Sequence, residues 1–112
     1  MKKIVLFALV AAVTVFQFCS SSRKAAEVSK VTYAKNVQPI IQASCSPCHI
    51  PPQGRAEALH TYETAKAHID DMITRMQKAP GDKGFMPMRH PKLPDSTIAI
   101  FTKWKEAGLA ER

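Results

Sequence analysis

The five residues C-S-P-C-H at positions 45–49 constrain this chain more than any other stretch of its sequence. Two cysteines three positions apart, followed at once by a histidine, are compatible with three kinds of chemistry. They are a redox-active dithiol, a zinc site, and the covalent attachment of a c-type haem. Cys45, Cys48 and His49 are therefore the first candidate functional residues, and the rest of the chain decides between these chemistries.

The residues around the motif predict helices and no strand. Thr32 is predicted to cap a first helix that extends to about Ala43, and Pro39 inside it predicts an irregular or kinked first turn. The apolar residues of this helix recur every three to four positions, as helical periodicity requires. They are Ala34, Val37, Ile40 and Ile41.

Two further helices are predicted. One runs from Thr61 to about Lys78 and is ended by Ala79-Pro80-Gly81. Its apolar stripe consists of Tyr62, Ala65, Ile69, Met72, Ile73 and Met76. The last helix is predicted to have Asp95 as its cap and Gly108 as its stop, with Ile98, Phe101, Trp104 and Ala107 on one face.

This helical pattern favours haem over the two other chemistries. A thioredoxin-type dithiol lies between a buried strand and a helix, whereas VQPIIQAS, which precedes Cys45, is typical of the end of an amphipathic helix. Structural zinc needs a fourth ligand and usually two separated ligand pairs, and Cys48 and His49 are adjacent. A chain of 112 residues also has few large apolar side chains, so a haem would serve as the centre of its core.

The first residues of the chain predict export. Lys2 and Lys3 precede a largely apolar run that ends at Phe18, which is too short for a bilayer-spanning helix of about 20 residues but suits a signal peptide. Cys19 and the serines after it are similar to the lipidation site of bacterial lipoproteins. Cleavage by ordinary signal peptidase and an uncleaved anchor remain open. The predicted organisation is a signal peptide (1–18), a lipidated N-terminus with a polar linker (19–31) and one domain (32–112), located in the periplasm or cell envelope and anchored to a membrane.

The formal charge of +7 does not indicate a nucleic-acid partner. The lysines are scattered, and no aromatic residues are interleaved with them as platforms for base stacking. A solvated surface is one interpretation of this charge. The other is a mildly basic face that steers an acidic protein partner.

The loop GFMPMRHPKLP supplies candidates for the sixth ligand of a haem iron. Met86 is favoured, because the fixed φ of Pro87 stiffens the chain that would bring its sulfur to the iron. Met88 and three histidines, His60, His68 and His90, are the competitors. Met72 and Met76 continue a helical stripe, so we expect them to pack in the core.

Three stretches, YAKNVQPIIQASCSPCH, LHTYETAKAHI and FMPMRHPKLPDSTIAIFTKWKEAG, resemble the mono-haem, class I-like cytochrome c domain of exported bacterial proteins. The resemblance covers residues 32–109 and implies an all-α fold of three or four helices around one covalent haem. Its first and last helices would pack together, with Met86 as the distal iron ligand. The chain departs from the family pattern at Pro94, where a Ser or Thr cap is usual, and at Met88, where a second proline is common.

The resemblance implies electron transfer between protein partners and no catalytic residues. Cys45 and Cys48 would hold haem c, and His49 and Met86 would ligate its iron. Candidate partners for the haem propionates are Arg55, Arg89, Tyr62 and Trp104. Two alternatives need an open sixth site: a haem-based gas sensor or binding module, and a small haem peroxidase in which His90 would be the acid–base group.

Overall fold

The computed structural model describes residues 30–112, and in this part of the chain the predicted all-α class is confirmed. The predicted signal peptide, Cys19 and the linker as far as residue 29 lie outside the described residues. Between residues 30 and 112 there is no strand. The elements are a π-helical turn (Tyr33–Val37) and four α-helices: α1 (Gln38–Ser44), α2 (Tyr62–Ala67), α3 (Ile69–Gln77) and α4 (Asp95–Glu106).

The first helix begins as predicted and has the predicted irregularity. The Thr32 hydroxyl accepts a hydrogen bond from the Lys35 amide at 3.4 Å, which caps the π-helical turn. Pro39 lies in the first turn of α1, where its missing N–H leaves no bond unmade. The predicted apolar stripe is wrong at one position, because Ala34 is exposed and Tyr33 is buried instead. The wider i→i+5 turn shifts the helical phase there.

The second predicted helix is two helices. α2 and α3 are separated at His68, whose φ and ψ are −106° and 9°. Thr61 begins α2 through a capping box with Thr64. The predicted apolar stripe nevertheless stays in phase across the break, and α3 ends at Gln77, just before the predicted stop. The buried residues of this stripe are Ala65, Ile69, Met72 and Met76.

The last helix ends as predicted but begins differently. Asp95 is the first residue of α4 and does not cap it. Pro94 holds the cap position without a side-chain bond, and its carbonyl accepts from the Thr97 and Ile98 amides at 2.9 and 3.1 Å. Asp95 still places a carboxylate in the first turn, which the helix dipole favours. Gly108 ends the helix with a φ of +85°, a conformation that glycine adopts without strain.

The start and the end of the described chain pack against each other. Val37, Ile41, Phe101 and Trp104 are the largest fully buried side chains, and they belong to one core cluster. The contact implied between the first and last helices is therefore present. No helix in the described range is both long and apolar enough to cross a bilayer.

Candidate haem site

A cavity of about 590 Å³ is lined by all the residues predicted to hold the cofactor. Cys45, Cys48 and His49 line it from the loop after α1, and Met86 lines it from the loop between α3 and α4. Apolar side chains from α3 and the two loops also line it, among them Leu59, Met72, Met76 and Leu93. Its volume is in the range of about 300–1,000 Å³ that is usual for sites of small molecules and cofactors.

The two motif cysteines lie on a turn that continues from α1. The Cys45 amide donates to the Ile41 carbonyl at 2.9 Å, and the His49 amide donates to the Cys45 carbonyl at 3.0 Å. Both cysteines are free thiols, Cys45 half-buried and Cys48 exposed. Burial raises the pKa of the Cys45 thiol to about 11. A redox dithiol needs a thiolate with a lowered pKa, so this environment does not favour dithiol chemistry.

The His49 ring is oriented by a backbone oxygen. Its Nδ1–H donates to the Glu57 carbonyl at 2.6 Å, which places the proton on Nδ1 and leaves the Nε2 lone pair available. Histidines that ligate metals usually donate their other ring N–H to a carbonyl or carboxylate in this way. His49 therefore has the tautomer and the fixed orientation that a metal ligand needs.

The loop that supplies the Glu57 carbonyl folds back on the motif. Ala56 donates its amide to the Cys48 carbonyl at 3.1 Å, and Leu59 donates to the His49 carbonyl at 3.0 Å. A Cβ atom at Gly54 would overlap the carbonyl oxygens of Pro47 and Cys48. Gly54 was not predicted to be a site residue, although it is the one glycine in the loop that follows the motif.

The backbone of the Met86 loop is hydrogen-bonded to the last turn of α3. The Met86 amide donates to the Arg75 carbonyl at 3.3 Å, and the side chains on either side of Met86, Phe85 and Pro87, are buried. Met86 is half-buried, whereas the Met88 side chain, which also lines the cavity, is 70% exposed. This contrast is compatible with Met86 as the inward-facing sulfur donor of the pair.

The competing histidines are placed differently from one another. His68 and His90 line the cavity, and His60 does not. The Nδ1 atom of His60 is buried and has no hydrogen-bond partner in the described part of the chain. His68 faces Glu57, with Nε2 and Oε1 3.5 Å apart. Of the three histidines, only His68 and His90 have the location of a possible sixth ligand.

Two of the four side chains proposed to contact the haem propionates do not line the cavity. Arg55 and Arg89 line the cavity, but Tyr62 and Trp104 do not. The Tyr62 hydroxyl donates to the Leu109 carbonyl at 2.9 Å, and the Trp104 indole N–H donates to the Ala110 carbonyl at 2.8 Å. The rings of Tyr62 and Trp104 each lie 5.8 Å from the ring of Tyr33 and 6.3 Å from each other, measured between centroids, and their polar atoms hold the C-terminal segment.

The zinc interpretation gains no support from the geometry. Across residues 30–112, no three histidine, cysteine or acidic side chains converge on a point where they could share an ion. A covalent haem would not require such convergence, because the two thiols would hold the porphyrin and only His49 and one further ligand would bind the iron.

Comparisons with family models, with curated proteins and with solved structures find no match to this chain. Its function is therefore inferred from the motif and from the cavity that the motif lines.

Proposed function

We propose that the chain is an exported electron-transfer protein with one covalently bound haem, the domain being class I-like cytochrome c. The observation that carries this proposal is the placement of His49. Its Nδ1–H is bonded to the Glu57 carbonyl, and its ring lines the same cavity as Cys45, Cys48 and Met86. A zinc site would also use an oriented histidine and a redox dithiol would also pair the cysteines, but neither gives a role to Met86 or to the apolar lining of the cavity.

Four side chains of the cavity each have one task in this proposal. The Cys45 and Cys48 thiols add across the two vinyl groups of the haem, each S–H adding to one C=C bond to form a thioether. His49 presents Nε2 to the iron, and Met86 presents a thioether sulfur, a soft ligand that favours the ferrous state. When bound, the haem supplies an iron that gains and loses one electron.

The surrounding side chains limit rearrangement during this exchange. Phe85 and Pro87 are buried on either side of Met86, and the Arg75 carbonyl holds the Met86 amide. A ligand held in the same way in both oxidation states keeps nuclear rearrangement small. Protein donors and acceptors of single electrons are the partners that such a site serves.

The two alternatives require that the sixth site be open. A gas-binding module would leave that position to its ligand, and a peroxidase would need an acid–base group above the haem. His90 lines the cavity but is exposed, and Met86 lies in the same lining. Nothing in this lining favours an open sixth site. Gas binding and peroxidase activity are therefore outcomes that the spectroscopic test can distinguish.

Membrane tethering through Cys19 is part of the same proposal and rests on the sequence. Cys19→Ser should give a protein that lacks the mass of the lipid and partitions into the aqueous phase of a detergent extraction. Unchanged mass and unchanged partitioning would exclude lipidation while leaving the haem proposal intact.

The experiment that tests the haem is haem staining after denaturing electrophoresis, combined with absorption spectra. We expect a stained band for the native chain and none for Cys45→Ala/Cys48→Ala. The holoprotein should have low-spin spectra in both oxidation states, and carbon monoxide should leave the reduced spectrum unchanged. A stained band in the double variant would contradict covalent attachment. A rapid response to carbon monoxide would favour the open-site alternatives.

A further inference from the structure

Met88 is the one large hydrophobic side chain of residues 30–112 that is strongly exposed. It is 70% exposed and lines the rim of the haem cavity, directly after the buried Pro87. Neither core packing nor ligation accounts for its position, because Met86 is the half-buried sulfur of the pair. An exposed methionine suits a surface that contacts another protein, since its flexible, polarizable side chain adapts to varied partners.

Positively charged side chains outnumber negatively charged ones in the lining of the cavity. Two acidic side chains line the cavity: Asp71 lies 2.6 Å from Arg75, and Glu57 lies 3.5 Å from His68, a contact that is an ion pair only when the histidine is protonated. Arg55 and Arg89 also line it, both are exposed, and neither has an ion-pair partner in the described range. With the histidines neutral, the cavity lining carries three arginines against two carboxylates, so its net charge is positive.

We propose that Arg55, Met88 and Arg89, here called the Met88 surface, dock an acidic protein that exchanges single electrons with the chain. This inference rests on the proposed function. Arginine and methionine are both enriched at protein interfaces, where a central apolar contact is commonly surrounded by charged groups. Opposite charge on the partner raises the rate of encounter, and the apolar contact at Met88 slows dissociation.

One other task is open to the two arginines, which is to bind the carboxylates of the haem itself. Arginine forms bidentate pairs with carboxylates, so the chemistry is the same for a propionate and for an acidic partner. The two sources differ in what they control. Loss of a propionate contact changes haem retention and reduction potential, whereas loss of a docking contact changes only the reaction with the partner.

The experiment follows oxidation of the reduced holoprotein by a small acidic blue-copper protein, chosen as the probe. In each productive encounter one electron leaves the ferrous holoprotein and reduces Cu(II) to Cu(I), and no proton is transferred. We expect Arg55→Glu/Arg89→Glu to lower the second-order rate constant at least tenfold at low salt, and the difference to disappear at high salt. The control is Lys35→Glu/Lys103→Glu, which changes the net charge equally at two exposed lysines that do not line the cavity.

The apolar part of the surface is tested separately, with variants that leave its charge unchanged. Met88→Ala should weaken binding of the probe about fivefold or more at all salt concentrations, and Met88→Leu should restore most of it. The reduction potential should be the same in both variants, so that a change of driving force does not enter the rates.

Three results would overturn the inference. One is that the arginine variant and the lysine control slow the reaction equally. Another is that the arginine variant loses haem or changes its reduction potential while the rate with the probe, corrected for driving force, stays the same. The third is that Met88→Ala binds the probe like the native protein. None of these resembles failure of the proposed function, which would appear as absence of a haem-stained band from the native chain.

Discussion

The Nδ1 atom of His49 lies 2.6 Å from the backbone carbonyl oxygen of Glu57, eight residues further along the chain. The acceptor is a main-chain atom, so the orientation of the ring depends on how the loop between these residues folds. Substituting the Glu57 side chain should leave the bond in place. A change that displaces the loop should break it.

Gly54 is the position at which such a change is most direct. Gly54→Ala places a Cβ against the carbonyl oxygens of Pro47 and Cys48, so the loop must move away from the motif. We expect the free energy of unfolding to fall by about 1–3 kcal/mol, as for other overpacked sites. The yield of haem-stained protein should fall as well, because His49 loses its fixed orientation.

Two controls separate displacement of the loop from other effects of the substitution. Glu57→Ala keeps the carbonyl and should give a normal yield of stained protein. Gly81→Ala meets no atom within 4 Å, although its φ of +97° disfavours alanine. It should reduce stability without reducing haem attachment. A native yield of stained protein in Gly54→Ala would show that the loop does not position His49.

Before haem is attached, the pKa of the Cys45 thiol should be unusually high. Burial raises its pKa from 9.0 to about 11. The folded state therefore holds this proton more tightly than the unfolded state. The resulting contribution to stability is fully present below pH 9 and is lost as the pH rises from about 9 to 11.

This titration is measurable as thiolate absorbance in a Cys48→Ser variant produced without haem, in which Cys45 is the remaining cysteine of the described residues. We expect a midpoint near 11 and, at neutral pH, slow reaction with thiol reagents. Urea should return the midpoint to the ordinary value for cysteine. A midpoint that is already ordinary in the native variant would show that the thiol is not buried.

The helices and their buried faces could be predicted because each depends on local periodicity. Val37, Ile41, Ala65, Met72 and Trp104 were all predicted to be apolar-face residues, and all are buried. Two of the features of the helices that were predicted wrongly are not revealed by local periodicity. The break at His68 interrupts a stripe that stays in phase across it, so periodicity carried no sign of a second helix. Tyr33 and Ala34 both lie at helical spacing from Val37, so periodicity does not decide between them, and it is Tyr33 that the π-helical turn buries.

The candidate site could be predicted only as far as residue types and spacing define it. C-x-x-C-H identifies the thiols and the histidine, and Met86 precedes a proline. The Glu57 carbonyl is a backbone atom that any residue would supply, so no side chain signals it. Tyr62 and Trp104 are candidate propionate partners in the sequence, but their polar atoms bond to the carbonyls of Leu109 and Ala110. Leu109 is distant in sequence from Tyr62, and Ala110 lies beyond the end of α4. Helical periodicity therefore does not predict either contact.

The hydroxyl of Tyr62 should therefore affect folding and not the haem. Tyr62→Phe removes the hydrogen bond to the Leu109 carbonyl, and we expect unfolding to become easier by about 0.5–1.5 kcal/mol. The absorption spectrum and the reduction potential of the holoprotein should not change. Denaturant unfolding and potentiometric titration of the same preparation measure both. A shifted potential with unchanged stability would restore Tyr62 as a propionate partner.

The sulfur of Met86 would decide between a closed electron-transfer site and an open one. Met86→Ala should lower the reduction potential, because it removes a ligand that favours ferrous iron, and should allow carbon monoxide to bind rapidly. Met88→Ala is the matched control and should change neither property, because that side chain is 70% exposed.

Histidine competition for the iron has its own signature, which pH reveals. His68 and His90 line the cavity, and either one as the sixth ligand would be released as acid protonates its imidazole. A thioether has no comparable proton to gain, so a Met86-ligated spectrum should stay constant across the range in which these histidines titrate. An acid transition abolished by His68→Ala or His90→Ala would therefore identify that histidine as the ligand. If Met86→Ala then left the potential and the carbon monoxide reactivity as they were, Met86 would not be the ligand. The gas-binding and peroxidase alternatives would become the better accounts of this cavity.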